Sequence, residues 1–261
     1  MIKGGLKLWN KIYYGDCLDV MSLIPSKSIT AVISDLPYGT TDCKWDVIIP
    51  FDKLWEHYNR ILKSDGIVIL FGVEPFSSMV RMSNLKNYKY DLVWEKERLT
   101  NIFQVKKRIG MVHENIMLFY SKQPKYYPQM VKRDNITVGV FSEDKTSKLY
   151  RNQTYKYSDD YDKTMKYPTS VIRVNRDTLK KSYHPTQKPV KLLEYLLRSF
   201  TDEGDIVLDN TAGGMSLAVA CDNLKRNWIC IERDKTFCDT GLERVNTNRL
   251  LLNMCETVIV S

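Results

Sequence analysis

The residues with the clearest chemical potential occupy positions 34–39, which read Ser-Asp-Leu-Pro-Tyr-Gly. Residues 29–33 precede them as an apolar run without polar alternation, which predicts a strand buried on both faces. The proline and the glycine must end that strand abruptly. Ligands of an open α/β sheet bind at the carboxyl ends of its strands. We therefore expect Asp35 to offer a carboxylate for hydrogen bonding and Tyr38 a ring for stacking; an ordinary strand-to-turn junction is the alternative.

A second group of candidate residues lies between positions 205 and 232. The pattern predicts a strand at 205–209, a small-residue turn at 210–214, a helix at 215–224 and a strand at 228–232. This order is typical of a Rossmann-like nucleoside site, whose tight turn admits the ligand while a later acid accepts hydrogen bonds from the ribose. Glu232 stands 23 residues after Asp209, close to the ~20 expected. The turn lacks the nicotinamide-binding glycine pattern and a phosphate loop, which disfavours a dehydrogenase and an ATPase.

The remaining sequence alternates predicted helices and strands, as a doubly wound sheet requires. The expected strands are 11–16, 67–71, 90–94 and 113–120, and the expected helices are 17–23, 51–62, 76–83 and one that follows Pro189. Asp65 and Gly66 predict a turn between the second helix and its strand. Asp16 falls at the same edge as Asp35 or caps the helix that follows it, and these two roles are compatible. Residues 39–46 form a polar, glycine-led loop, a candidate lid.

Composition favours an ordinary globular protein, since 43% of the 261 residues are hydrophobic. The first ten residues contain no export signal and no long apolar run occurs anywhere, so we expect a cytoplasmic protein with no membrane partner. Six cysteines without a Cys-x-x-Cys pair are expected to be reduced thiols. Three histidines without clustered ligand spacing give no reason to expect a metal site.

Positive charge is concentrated in one stretch. The formal net charge is +8, and residues 121–183 contribute +7 of it through 14 Lys or Arg against 7 Asp or Glu. The same stretch carries eight of the sixteen tyrosines and shows no sustained periodicity. Cations interleaved with aromatic rings suit contacts to phosphates and bases, so we interpret it as a nucleic-acid-binding region; a solvated insertion is the alternative. A shorter basic loop contains Lys96, Arg98, Lys106, Lys107 and Arg108.

Three motifs resemble those of the β-type amino-group DNA methyltransferases. They are Asp-Leu-Pro-Tyr at 35–38, His-Pro-Thr-Gln-Lys-Pro at 184–189 and Asp-Asn-Thr-Ala-Gly-Gly at 209–214. The resemblance covers most of the chain and implies an α/β fold, a Rossmann-like S-adenosylmethionine-dependent methyltransferase sheet that is circularly permuted and carries an inserted recognition region. It implies a catalytic half at 1–120, a target-recognition insertion at 121–183 and a cofactor-binding half at 184–261.

The resemblance also implies roles for single residues. The catalytic set is Asp35, Leu36, Pro37 and Tyr38: the acid and the main-chain carbonyl after it accept hydrogen bonds from the exocyclic amine of a flipped base, and the ring stacks on that base. S-adenosylmethionine is expected at Asp16, Cys17, Asp35, Lys188, Asp209, Thr211, Ala212, Gly213, Glu232 and Arg233. Its methyl group is already activated, so no metal is required.

Departures from the family pattern temper this interpretation. Leu36 replaces a proline but still supplies a carbonyl. The family turn is typically Asp-Pro-Phe-x-Gly-Ser-Gly, and Asn210, Thr211 and Met215 replace its proline, phenylalanine and last glycine. An aromatic wall is thereby lost, and we expect position 215 not to need a positive φ, since a side chain makes that conformation costly. Weaker cofactor binding and a catalytically degenerate DNA-binding relative are the alternatives.

The resemblance favours transfer to the N6 amine of adenine. Adenine N6 and cytosine N4 are both amines that must be flipped out of a duplex. Family members acting on cytosine generally have serine where this chain has Asp35, so N4-cytosine is the alternative. Other classes are a non-catalytic nucleic-acid-binding regulator and an RNA or small-molecule methyltransferase; the basic, tyrosine-rich stretch argues against a small metabolite. DNA is the expected partner, and a homodimer and a cognate restriction endonuclease of a restriction-modification system are further candidates.

Overall fold

The computed structural model describes residues 8–43, 45–133, 146–147, 153–154, 162, 164–177, 183 and 186–259. The chain divides into two compact units. The first combines residues 1–127 with 170–261, and the second comprises residues 128–169. Both boundaries fall inside the expected recognition range 121–183. Much of that range lies outside the described residues, as do His184 and Pro185 of the second motif.

The elements of the first unit alternate along the chain. Its strands are β1 (Lys11–Tyr14), β2 (Ile29–Ser34), β3 (Leu62–Gly72), β4 (Tyr88–Glu95), β5 (His113–Phe119), β10 (Val171–Arg173), β11 (Ile206–Asp209) and β12 (Asn227–Glu232). Its helices are α1 (Cys17–Ser22), α2 (Phe51–Ile61), α3 (Phe76–Ser83), α4 (Val190–Phe200), α5 (Ser216–Asn223) and α6 (Lys235–Ile259). The second unit holds β6 (Val131–Lys132), β7 (Thr146–Ser147), β8 (Gln153–Thr154) and β9 (Met165–Lys166), with β6 antiparallel to β9 and β7 antiparallel to β8.

Among the described residues, the strands of the first unit form one eight-stranded sheet of order β1-β12-β11-β2-β3-β5-β4-β10. The neighbours of β5 are antiparallel to it, and the other pairs are parallel. The strands that come last in the chain, β11 and β12, therefore lie between β1 and β2. This is the permuted Rossmann-like arrangement that the sequence predicts, and the fold prediction is confirmed.

Both faces of the sheet are covered, and successive side chains of a regular strand point to opposite faces. In β2, Ala31 and Ile33 belong to the core beneath α4 and α5, whereas Val32 between them belongs to the core beneath α1 and α2. Ile29 also belongs to the core beneath α1 and α2, because the register shifts between Ile29 and Ala31. All six residues of β2 are buried, as its uninterrupted apolar run predicts. Burial of each isoleucine and valine side chain of β2 stabilises the folded state by roughly 1.5–3 kcal/mol. β2 is thus packed on both faces.

The turn expected at Asp65 and Gly66 is wrong. β3 begins at Leu62 and continues through both residues. The register against β2 shifts there, since Ile29 pairs with Leu62 but Ala31 pairs with Ile67. The extra residues of β3 make a bulge or irregularity in this strand pair, and a Cβ added to Gly66 would lie 2.8 Å from the Leu62 side chain. The turn-forming residues thus make an irregularity inside one strand pair.

No helix in the described ranges is long and apolar enough to cross a membrane.

Candidate active site

Parallel strands bring the candidate residues to one edge of the sheet. Asp35 follows β2, while Asp209 and Glu232 end β11 and β12. β5 runs in the opposite direction, so its second residue, Glu114, reaches the same edge. A cavity of about 200 Å³ opens there.

Every residue that the sequence analysis assigned to the site lines this cavity. They are Asp16, Cys17, Asp35, Leu36, Pro37, Tyr38, Lys188, Asp209, Thr211, Ala212, Gly213, Glu232 and Arg233. The structure thus brings together segments that are widely separated along the chain, while the roles of these residues stay predictions. Asp46, Glu114 and Phe237 also line the cavity and were not predicted.

Both oxygens of the Asp35 carboxylate have partners. The Tyr38 hydroxyl donates to Oδ1 at 2.5 Å, and the Lys188 ammonium donates to Oδ2. Burial raises the pKa of Asp35 above its ordinary value, although the positive charge of Lys188 opposes the shift. Each oxygen of the carboxylate thus accepts one hydrogen bond and keeps acceptor capacity for another.

A chain of alternating charges continues inward from Asp35. The Lys188 ammonium also lies 3.2 Å from Glu114 Oε2, and Lys96 donates to Glu114 Oε1. Burial alone would lower the pKa of Lys188, but Asp35 and Glu114 raise it. Burial alone would raise the pKa of Glu114, but the ammonium groups of Lys188 and Lys96 hold it below its usual value. Two anions and two cations therefore compensate one another where water is largely excluded.

Packing holds the rest of the tetrapeptide. The Leu36 side chain is buried in the core beneath α1 and α2, so only its main chain remains for the acceptor role that the resemblance implies. The Tyr38 ring packs on the buried ring of Phe76, with centroids 4.8 Å apart and planes inclined by 32°. A fixed aromatic ring thus supports the proposed stacking platform.

One carboxylate organises the loop at residues 39–46. Asp46 Oδ1 accepts from the Gly39 N–H at 2.8 Å, and Oδ2 accepts from the N–H groups of Thr40 and Thr41 at 2.9 and 2.7 Å. Burial alone would raise the pKa of Asp46, but these bonds and one from the Thr41 hydroxyl hold it below its usual value. The described part of the loop lines the cavity and is held in place by these hydrogen bonds, and its role as a lid stays a prediction.

The turn after β11 is joined to the end of β2 by hydroxyl groups. Asp209 Oδ1 accepts from the Ser34 hydroxyl at 2.8 Å and from the Thr211 N–H at 3.1 Å. The Thr211 hydroxyl donates to the main-chain oxygen of Asp35 at 2.9 Å. Burial raises the pKa of Asp209 to about 7, despite the two hydrogen bonds that it accepts. The carboxylate therefore titrates near neutral pH.

Glu232 is held by backbone groups. Its Oε2 accepts from the Gly213 N–H at 2.8 Å, and its Oε1 accepts from the Asp234 N–H at 2.8 Å. The acid that ends β12 thus fixes the glycine turn after β11. Each carboxylate oxygen retains acceptor capacity for a ribose hydroxyl.

Met215 contradicts the expectation for this turn. Its φ is 57° and its ψ is 30°, so the position does adopt the left-handed conformation that glycine favours. The side chain is fully buried against Gly241, where an added Cβ would lie 2.3 Å from Met215 Cγ. Left-handed strain costs roughly 1–2 kcal/mol, and burying a methionine contributes roughly 1.5–3 kcal/mol. Packing therefore offsets the strain.

The first turn of α6 and the start of α1 complete the wall. Thr211 stands where the family has phenylalanine, but the ring of Phe237 lines the cavity from α6. Asp16 caps α1, its Oδ1 accepting from the Leu18 N–H at 2.8 Å, and it also lines the cavity. Burial raises the pKa of Cys17 to about 11, so its thiol stays protonated at neutral pH.

Sequence reasoning missed Glu114 and Asp46, because their places at the cavity depend on the direction of a strand and on contacts within a loop. Glu114 was visible as an acid at the start of a strongly apolar strand, but the strand's direction was not. Asp46 closes a loop that has no periodicity. Among the described residues, no group of three or more His, Cys, Asp or Glu side chains could hold a metal ion.

Comparison with known proteins assigns the chain to a family. A family model described as DNA methylase matches residues 29–243. The DNA adenine methyltransferase YhdJ of Escherichia coli K12 is 27% identical over 252 residues, which cover 90% of this chain and 82% of that protein.

Two solved structures share the fold. The complex of M1.HpyAVI with S-adenosylmethionine has a TM-score of 0.59 and 22% identity, covering 90% of this chain and 98% of that one. The PvuII DNA methyltransferase, described as cytosine-N4-specific, has a TM-score of 0.65 and 16% identity, covering 91% of this chain and 90% of that one. Since the matched family range includes β2, β11 and β12, whose ends build the cavity, the chain belongs to the DNA methylase family of S-adenosylmethionine-dependent N6/N4 methyltransferases.

Proposed function

We propose that this protein transfers a methyl group from S-adenosylmethionine to the exocyclic N6 amine of adenine in DNA. The observation that carries the proposal is the Asp35 carboxylate beside the Tyr38 ring at the cavity. Adenine and cytosine enzymes both occur among the similar proteins, so the family alone does not choose the base. The choice rests on aspartate at position 35, where the resemblance leads us to expect serine in a cytosine enzyme.

The hydrogen-bond acceptors of the cavity fit S-adenosylmethionine. The ammonium and ribose hydroxyls of that cofactor are hydrogen-bond donors, and Asp209 and Glu232 are acceptors that would hold them. Phe237 offers an apolar surface to the adenine ring. The bound cofactor supplies a methyl group that its sulfonium charge has already activated.

The chain's own task is to position the amine and to accept its hydrogen bonds. Once Lys188 moves from Asp35 toward Glu114, Asp35 Oδ2 can accept from the amine and localise the nitrogen lone pair. The Leu36 carbonyl accepts the second N–H, and Tyr38 stacks on the base. When the nitrogen forms its bond to the methyl carbon and the carbon–sulfur bond breaks, the nitrogen becomes cationic, and Asp35 is the nearest base for its proton. Flipping the base costs a few kcal/mol, which these contacts offset.

Product analysis tests this proposal. The protein is incubated with S-adenosylmethionine and unmethylated duplex DNA, and the digested nucleosides are identified by mass spectrometry. N6-methyladenine is expected, and Asp35→Ala should abolish it while calorimetry still detects cofactor binding. The exposed Asp52 provides a matched control, Asp52→Ala, that should remain active. N4-methylcytosine would overturn the base assignment, and no methylated nucleoside would favour a degenerate DNA-binding relative.

We further propose that residues 121–183 recognise the target sequence, between a catalytic half at 1–120 and a cofactor-binding half at 184–261. The charge of +7 in that range supports this role. Exchanging the range for that of a relative should change the methylated sequence and leave cofactor affinity unaltered. A homodimer and a cognate restriction endonuclease also remain proposals. Sedimentation velocity tests the former, and resistance of the methylated DNA to endonucleases tests the latter.

A further inference from the structure

The connection between β4 and β5, residues 96–112, is an ordered projection from the edge that carries the cavity; we call it the β4–β5 excursion. Lys96 N–H donates to the Val112 oxygen at 2.6 Å, and Thr100 N–H donates to the Met111 oxygen at 2.9 Å. Asn101 Oδ1 accepts from the Met111 N–H at 2.7 Å. These bonds join the outgoing and returning segments of the excursion. Its tip comprises residues 102–109.

The tip combines apolar and basic side chains in solvent. Phe103 is fully exposed, Ile109 is 94% exposed and Ile102 is 63% exposed. Lys106, Lys107 and Arg108 lie between these apolar residues in the sequence and are also exposed. Apolar side chains clustered in water mark an interaction surface, and three adjacent cations mark a polyanionic partner.

The excursion is attached to the catalytic charges at its base. Lys96, its first residue, donates to Glu114, which also pairs with Lys188 beside Asp35. Ile102, where the tip begins, is six positions after Lys96, so it lies at most ~20 Å from the base of the excursion. A duplex that presents a base to Asp35 therefore lies within its reach.

We propose that the tip of the β4–β5 excursion is a duplex-DNA contact in which Phe103 stacks in the helix beside the flipped base and Lys106, Lys107 and Arg108 pair with flanking phosphates. This inference rests on the proposed function. A base that leaves the duplex opens a gap in the stack, and apolar side chains inserted between base steps are a known way to stabilise such distortions. The strip of cations next to Phe103 supplies the phosphate contacts that hold a wedge in place.

Single-turnover methyl transfer by Phe103→Ala tests the stacking role. The substrates are two synthetic duplexes that carry the site methylated by the wild-type protein, one fully paired and one with the target base mispaired. Mispairing lowers the cost of flipping. The variant should lose about tenfold or more of its rate on the paired duplex and less than about twofold on the mispaired one. Phe103→Trp should retain the rate, and so should Leu23→Ala, a matched control at an exposed apolar residue beyond the far end of α1.

Equal rates for Phe103→Ala and wild type on the paired duplex would overturn the proposal, as would equal losses on both duplexes. Loss of a dimer in sedimentation velocity, with unchanged discrimination between the duplexes, would show a protein interface and would also overturn it.

If the wild-type protein transfers no methyl group, the proposed function fails, and anisotropy of a labelled duplex of 30 base pairs decides the inference. Changing Lys106, Lys107 and Arg108 to Gln together should reduce the slope of log affinity against log salt by about 2–3, and Phe103→Ala should weaken binding; unchanged binding by both variants rejects the contact.

Discussion

The two halves of the cavity hold their carboxylates by different means. Asp35 is bound by the side chains of Lys188 and Tyr38, one of them charged. Glu232 accepts hydrogen bonds from two backbone N–H groups. Asp209 accepts one from the Thr211 N–H and one from the hydroxyl of the short Ser34 side chain. A side chain can move away from its partner, whereas the backbone of a packed turn cannot. The half of the cavity around Asp35 is therefore suited to exchanging partners, and the half around Asp209 and Glu232 is suited to keeping them.

Removing Lys188 should break the exchangeable half most strongly. Lys188→Met leaves Asp35 and Glu114 facing each other without the cation between them, and breaking a buried ion pair costs about 3–5 kcal/mol. Urea denaturation should show this loss in the free energy of unfolding, and methyl transfer should fall at least tenfold. Lys188→Arg should lose less stability, and Lys53→Met, at an exposed lysine, should change stability by under ~0.5 kcal/mol. A Lys188→Met protein as stable as wild type would show that the two acids do not need the ammonium.

Met215 allows the rigid half to be loosened. Met215→Ala keeps the left-handed strain but loses buried volume, and we expect the free energy of unfolding to fall by about 3 kcal/mol. Gly241→Ala should also destabilise the protein, because the new Cβ meets Met215 Cγ. Combining the two changes should cost less than their sum in a double-mutant cycle by chemical denaturation. Strict additivity would mean that this contact does not hold the turn.

The pKa of Asp209 should make cofactor affinity depend on pH. Its pKa is raised to about 7 by burial, so the carboxylate is mostly protonated at pH 6 and mostly ionised at pH 8. If the ionised form binds the cofactor's ammonium, calorimetry should find affinity about tenfold higher at pH 8 than at pH 6. Asp209→Asn should bind about tenfold more weakly at pH 8 and lose this step between pH 6 and 8.

The same shift has the opposite sign for the stability of the cofactor-free protein. A carboxyl whose folded-state pKa is raised favours the folded state while it is protonated. This contribution is fully present below the pKa of the unfolded aspartate, about 4, and is lost as pH rises through about 7. Asp209→Asn should flatten that part of the curve of unfolding free energy against pH, and an unchanged curve would contradict the assignment.

The smallest expected effect is at the link between the halves. Thr211→Val keeps the shape of the side chain and removes the hydroxyl that donates to the Asp35 oxygen, at a cost of about 1 kcal/mol. Single-turnover transfer at saturating cofactor should fall severalfold, and cofactor affinity should fall as well, since Thr211 is among the residues expected to bind S-adenosylmethionine. Thr247→Val on the exposed face of α6 is the matched control, since its hydroxyl also donates to a main-chain oxygen, at 2.8 Å. Unchanged cofactor affinity would instead contradict the expectation that Thr211 is a binding residue.

Much of this arrangement could be predicted from local pattern. The apolar run before Asp35 and the turn after Asp209 each identify a strand end, and parallel strands must bring those ends to one edge. Glu114 could not be placed, because the antiparallel direction of β5 depends on its neighbours in the sheet and not on its own residues. The Met215 expectation was wrong for a similar reason, since only the tertiary contact with Gly241 offsets the local strain. Pairing with β2 likewise places Asp65 inside β3, at a position where the sequence predicts a turn.

The hydroxyl bridge from β2 to β11 also bears on motion. Ser34 and Asp209 are 175 positions apart in the chain, yet their hydrogen bond and the bond from Thr211 to the Asp35 oxygen tie the two strand ends into one frame. We therefore expect thermal displacement of either strand to carry the other with it, so that the two strand ends fluctuate in concert. In-line transfer needs its reacting atoms to meet at ~3–3.5 Å, and such correlated motion would keep the spread of that separation narrower than independent motion of the two strands.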